Sequence, residues 1–271
     1  MTATTAHRSP DTARRSGDGG LPGAIVGEWT KLWSVRSTWW SLLASAVLMA
    51  AAAGQLAIYT ANGNTNADPA DDQGIVAVGG SAIGAFELAQ YAIIALAVLV
   101  LAGEYSAGTI RTTLQCVPSR GRLLLAKATL VAGVSFVAGL LLGVLGIAVA
   151  DPVLGEWGRL DPAEAAGDVL AVGAYSALIG VFALGVGAAL RGAVGALITV
   201  FLLLSVVPAM LGLLDLEMVR RFVDALPGVA GGHFMRGDGD TYPAPVGLAL
   251  LAGWAAVALG AGHAVLRRRD A

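Results

Sequence analysis

The chain has 271 residues, 56% of them hydrophobic and only 13% charged, with a mean hydropathy of +0.72. Soluble domains carry about a quarter charged residues, so a water-soluble globule is excluded and the bilayer is the expected solvent. The net charge of −2 says little, because the placement of charges along a membrane chain decides its topology. The one cysteine, Cys116, rules out an intrachain disulfide and a cysteine-built zinc site.

Residues 1–20 are rich in Thr, Ser, Asp, Arg and Gly without apolar periodicity, the composition of a disordered cytoplasmic tail. Arg14 and Arg15 have the look of a twin-arginine signal, but no apolar region follows until Trp39, so no cleaved signal is expected. Residues 21–40 set Ile25, Trp29, Leu32 and Trp33 on one helical face, with Glu28, Lys31 and Ser34 away from it. That pattern predicts a membrane-interface helix carrying Trp29, Lys31, Trp33 and Arg36, with Trp39 and Trp40 extending an aromatic belt into the first span. The same residues could also simply lengthen the first span inward.

A helix crossing a hydrocarbon core of about 30 Å needs roughly 20 apolar residues. Six windows qualify, at about 39–59, 83–103, 128–150, 169–190, 193–214 and 246–266. The expected fold class is therefore all-α, a polytopic membrane protein with six transmembrane helices. Most of the 17 Lys and Arg fall on one side: Arg8, Arg14, Arg15, Lys31 and Arg36 precede the first span, and Arg111, Arg120, Arg122 and Lys127 join the second to the third. Arg191 joins the fourth to the fifth, and Arg267, Arg268 and Arg269 follow the sixth. The other connections collect acids such as Asp68, Asp71, Asp151, Glu164 and Asp224. The positive-inside rule then puts both termini in the cytoplasm and the chain in the inner (plasma) membrane. The turn at Arg191 and Gly192 is short enough for one bent helix, but five spans would send the terminal Arg triplet outside, so six are expected.

In the connection after the second span, Ile110, Leu114 and Val117 recur at i, i+4 and i+7, predicting about two turns of amphipathic helix that stop near Pro118. Glu104, Arg111, Arg120 and Arg122 flank it. Two readings fit this composition equally: a docking element for a soluble partner, and a linker whose arginines meet anionic headgroups.

The run Glu-Trp-Thr-Lys-Leu-Trp-Ser-Val-Arg-Ser-Thr-Trp-Trp at 28–40, then Gly-Glu-Tyr-Ser-Ala-Gly-Thr-Ile-Arg-Thr-Thr-Leu at 103–114, Val-Pro-Ser-Arg-Gly-Arg at 117–122 and Lys127, resembles the ABC-2 type permeases of ATP-binding-cassette exporters. The layout covers residues 21–271. The resemblance implies a cytoplasmic coupling helix, with Glu104, Gly108, Thr109, Arg111, Thr112 and Pro118 seated in a groove of the ATPase subunit. Ser119 departs from the basic residue expected there. It further implies export of a hydrophobic or amphipathic compound by an assembly with a cytoplasmic ATP-binding subunit and a second permease copy or paralogue. ATP and Mg would sit on that partner. The chain itself has no Gly-x-x-x-x-Gly-Lys-Ser/Thr loop around either of its lysines, Lys31 and Lys127, so no bound cofactor, metal, catalytic residue or nucleic-acid partner is expected of it.

Glu87, an acid inside the second window, is a candidate intramembrane polar site or an acid at the outer interface. Gly139 with Gly143, and Gly80 with Gly84, have the four-residue spacing that permits close helix approach; chance alone would produce such spacings among 37 glycines. By the resemblance, residues 215–245 carry short re-entrant helices capping the pathway. Three other classes compete. An intramembrane enzyme would need a nucleophile beside a base, and the histidines (His7 in the tail, His233 in the outer connection, His263 near the chain end) are scattered. An ion-coupled secondary transporter would need several mid-membrane charges and two related halves. A non-transporting scaffold is the third.

Overall fold

The computed structural model describes residues 20–66, 68–106, 108, 120–214, 216–237 and 241–268. Nine helices occur among them. α1 (Gly20–Ser34) is followed by α2 (Arg36–Thr65), α3 (Val78–Ser106), α4 (Arg120–Leu154) and α5 (Pro162–Leu190). α6 spans Ala193–Gly212, and α7 (Glu217–Asp224), α8 (Pro227–Arg236) and α9 (Ala244–Arg268) complete the chain. α2, α3, α4, α5, α6 and α9 are each long and apolar enough to cross a membrane.

The helices overrun the apolar windows because polar residues at a helix end do not stop it. α2 has 30 residues, about 45 Å at 1.5 Å each, against a core of about 30 Å. The largest correction is at α4, which begins at Arg120. Lys127 therefore stands two turns inside a helix rather than in the connection where the sequence put it.

Local chemistry sets the ends. Asp161 caps α5, accepting from the backbone N–H of Ala163 at 2.8 Å and of Glu164 at 3.2 Å, with Pro162 at the first helical position. These two bonds hold the Asp161 carboxyl below its usual range. Arg191 closes α5 in the left-handed region at φ 55°, and Gly192 leads into α6. Two residues thus separate the fourth and fifth spans, which are distinct helices. Within α6, Leu202–Val206 widens into a π-helical turn. Pro208 explains its place: it lacks the N–H that would reach the Leu204 carbonyl, and its ring would clash there.

At the end of the bundle away from α1, Val76–Ala77 (β1) pairs in parallel with Gly158–Arg159 (β2), with Val76 opposite Gly158. This bridge ties the α2–α3 connection to the α4–α5 connection.

α3 and α5 form the centre. Phe86, Ile93, Ile94 and Leu101 of α3 pack with Tyr175, Ile179, Phe182 and Leu184 of α5, all fully buried. α2 and α4 cover one side, and α9 lies along α5. The outer helices leave Leu43, Val47, Ile198 and Val257 exposed, as expected where lipid is the solvent. Lipid supplies no hydrophobic drive between helices, so close packing of small residues has to hold them. A Cβ on Gly185 would stand 2.5 Å from the backbone carbon of Ala258 in α9, so that crossing requires glycine. Gly139 meets Ser176, and a Cβ on Gly143 would stand 3.2 Å from the Cα of Val169; both serve the α4–α5 contact within the chain. Gly84 faces Leu56, and Gly80 faces open space.

Candidate functional site

The break between α1 and α2 is one extended residue, Val35 (φ −95°, ψ 128°). Thr38 stitches it, donating its hydroxyl to the Leu32 carbonyl at 2.7 Å while its N–H reaches the Val35 carbonyl at 3.2 Å. α1 consequently folds back along α4. Its buried stripe is Ala24, Glu28 and Leu32, four residues apart. This corrects the expected amphipathic pattern: Glu28 points inward and Trp29 is half exposed.

A carboxylate can be buried there because a cation is buried opposite it. Lys127, fully enclosed, donates to Glu28 Oε2 at 2.5 Å, to Glu104 Oε1 at 2.9 Å and to the Val100 carbonyl at 3.3 Å. Lys31 closes the cluster from the surface side, 3.1 Å from Glu28 Oε1 and 3.1 Å from Glu104 Oε1. Burial works against the charge of Lys31, but hydrogen bonds and charge attraction from Glu28 and Glu104 outweigh it and raise its pKa above the ordinary lysine value. Two cations and two carboxylates thus compensate one another, the condition under which buried charge is tolerated.

The cluster joins three elements: α1 through Glu28 and Lys31, the last turn of α3 through Glu104, and the second turn of α4 through Lys127. α3 and α4 are the helices that flank residues 107–119. Gly108, exposed, turns away from α3 at φ 68°, with its N–H on the Tyr105 carbonyl at 3.2 Å; a left-handed position of this kind favours glycine. Thr109, Arg111, Thr112 and Pro118, with the amphipathic helix expected there and Cys116, lie outside the described residues.

Beside the cluster, Trp33 packs edge-on against Trp29 (5.5 Å between ring centres) and at a tilt against Trp39 (5.0 Å). Trp39 donates its indole N–H to the Trp33 carbonyl at 3.2 Å. Arg36 is exposed next to this aromatic group. An apolar cavity of about 480 Å³ lies between the Trp29 and Trp33 rings, α2 and α4. A second, of about 440 Å³, runs from Glu28, Lys31 and Glu104 to Leu96, Leu99 and Val100. On the same end of the bundle, Arg191 donates to the Val265 carbonyl at 3.2 Å and stacks over the Tyr105 ring at 5.5 Å. It thereby holds the α5–α6 turn against the ends of α3 and α9.

Glu87 belongs elsewhere. It is 17 residues before Glu104 on α3, about 26 Å along the axis, and is half exposed in an ion pair with Arg236 of α8. Gln90, one turn on, donates to the Glu87 carbonyl at 2.8 Å and accepts from the buried Tyr175 hydroxyl at 2.6 Å. Tyr91 and Ser205 share a hydrogen bond across α3 and the π-helical turn of α6. The segment after α6 holds two short helices: α7 on the surface, and α8 packed against α9 and α5 with Ala230, Gly231 and Gly232 buried. His233 lies 3.8 Å from Asp224.

Sequence reasoning set Glu104 in the coupling segment and Lys31 on the interface helix, and did not bring them together with Glu28 and Lys127 in one cluster. A signal existed: the chain has two lysines, and one of them interrupts the apolar run from Leu123 to Leu130. Among the described residues no cluster of His, Cys, Asp and Glu could hold a metal ion. No protein-family model and no curated protein matches this chain.

Proposed function

We propose that this chain is the transmembrane permease subunit of an ATP-binding-cassette exporter of the ABC-2 type, moving a hydrophobic or amphipathic compound. α1, the α3–α4 connection and both chain ends face the cytoplasm. ATP and Mg bind a separate ATPase subunit, and a second permease copy or a paralogue completes the assembly. The observation that carries this reading is the buried cluster of Glu28, Lys31, Glu104 and Lys127. A partner pressing on residues 107–119 would push on α3 and α4 where these charges clamp them to one another and to α1. Displacement would then pass into the spans as movement of a rigid unit rather than being lost in a slack loop. The apolar cavities beside the cluster suit a hydrophobic cargo better than a hydrophilic one.

The test is affinity purification of the tagged protein from its native membrane in mild detergent, with identification of co-purifying subunits and assay of ATP hydrolysis. Recovery of an ATP-binding subunit in fixed ratio, lost on replacing residues 104–118, is the expected result. Recovery of the chain alone, without ATPase activity, would overturn the reading in favour of an ion-coupled transporter or a scaffold.

A further inference from the structure

We infer that α7 lies in the headgroup layer of the membrane at the end of the bundle away from α1, with Met218 and Phe222 inserted among the lipid acyl chains. At 100° per residue, Met218, Phe222, Val219 and Val223 form one continuous arc of the helix, and Arg220, Asp224, Glu217 and Arg221 form the opposite arc. The structure uses only half of the apolar arc. Val219 and Val223 turn toward the protein and are partly covered, whereas Met218 is 85% exposed and Phe222 is 55% exposed. On the polar arc, Arg221 pairs with Glu217.

Three directions are thus set: protein on one side, an uncovered apolar strip on the second, and charge on the third. That is the arrangement of a helix lying flat at the rim of a membrane bundle. The position of α7 supports the same occupant. α6 is a membrane-crossing helix with little of its surface buried in the protein, and it ends at Gly212, four residues before α7 begins. Leu214 donates its N–H to the Leu211 carbonyl at 3.0 Å and Leu216 donates its N–H to the Leu214 carbonyl at 2.8 Å, so Leu216, which leads into α7, stays near the depth at which α6 leaves the hydrocarbon. The headgroup layers are some 5–8 Å thick on each face, which places α7 within one of them. Leu213, Leu214 and Leu216, between α6 and α7, are exposed apolar side chains as Met218 is. α7 would lie this way in any six-span chain of this shape, transporter or not.

The experiment uses the full chain carrying Cys116→Ala, with Met218→Cys, Phe222→Cys or Arg220→Cys added singly. Each is spin-labelled and reconstituted in vesicles of phosphatidylethanolamine and phosphatidylglycerol. Power saturation then compares collision of each label with molecular oxygen, which concentrates in lipid, and with a water-soluble nickel chelate. Labels at Met218 and Phe222 should favour oxygen over the chelate several-fold, and the label at Arg220 should show the reverse. Equal chelate access at all three positions would put α7 in water and overturn the inference. Protection of Met218 and Phe222 from both reagents would overturn it too, by showing a protein surface over the strip, such as a second copy of the chain.

Discussion

Lys127 on α4 donates to Glu28 on α1 across 2.5 Å, although 99 residues separate them along the chain. The two side chains are 1% and 6% exposed, and Lys31 beside Glu28 and Glu104 beside Lys127 complete the compensation of their charge. Removing Lys127 leaves Glu28 buried with only the half-exposed Lys31 opposite it.

Lys127→Met should therefore destabilise the protein by about 3 kcal/mol, the usual range for breaking a buried ion pair. Thermal unfolding in detergent measures it. The double variant Glu28→Gln with Lys127→Met should recover about 1 kcal/mol or more relative to the sum of the single losses. Simple additivity of the two changes would show that the residues are not coupled.

Lys31 provides a pH signature. A lysine held above its ordinary value in the folded chain contributes stability that is fully present below that ordinary value, about 10.5, and that is lost as pH rises through the raised folded value. Melting temperature should accordingly fall as pH passes about 10.5. In Lys31→Gln this part of the fall should vanish while the rest of the alkaline profile is kept. An unchanged profile would exclude Lys31 as its source.

At Arg191 the backbone and the side chain pull in opposite directions. Its left-handed φ of 55° disfavours any residue but glycine, while its guanidinium holds the Val265 carbonyl and the Tyr105 ring. Arg191→Ala loses the contacts and keeps the strain; Arg191→Gly loses the contacts and relieves it. Both should melt below the parent, with the alanine variant lower than the glycine variant by about 1 kcal/mol. The reverse order would mean that the turn changes conformation.

Gly185 and Gly253 separate packing from propensity. Gly185→Ala sets a methyl group against the α9 backbone at Ala258 and should cost about 1–3 kcal/mol through overpacking. Gly253→Ala meets nothing within 4 Å and should leave stability unchanged or raise it by up to about 1 kcal/mol, the helix preference for alanine. Melting curves of the two variants side by side decide the matter.

Six spans were legible in the sequence because a bilayer demands about 20 apolar residues per crossing, a signal that survives without any tertiary information. The Arg191–Gly192 turn was legible as a boundary because an extra or missing span would invert the charge pattern. Glu104, Lys31 and the tryptophans stood out for the same reason: polar and aromatic residues at the ends of apolar runs are conspicuous. What remained hidden depends on which helix lies against which. No periodicity in α1 alone distinguishes a stripe of Ala24, Glu28 and Leu32 from one of Ile25, Trp29 and Leu32; the choice is made by Lys127 on α4, which gives Glu28 a buried partner. Likewise Glu87 looks like a lone acid until α8 folds back to bring Arg236 beside it. Composition and hydropathy by themselves determined six stretches long and apolar enough to cross a membrane, since transfer of apolar surface is local and additive. Only the tertiary structure decided which charges meet, because an ion pair is set by distance in space, and the helices that carry these charges are brought together by packing of other side chains, such as Leu32 with Leu96 and Leu130.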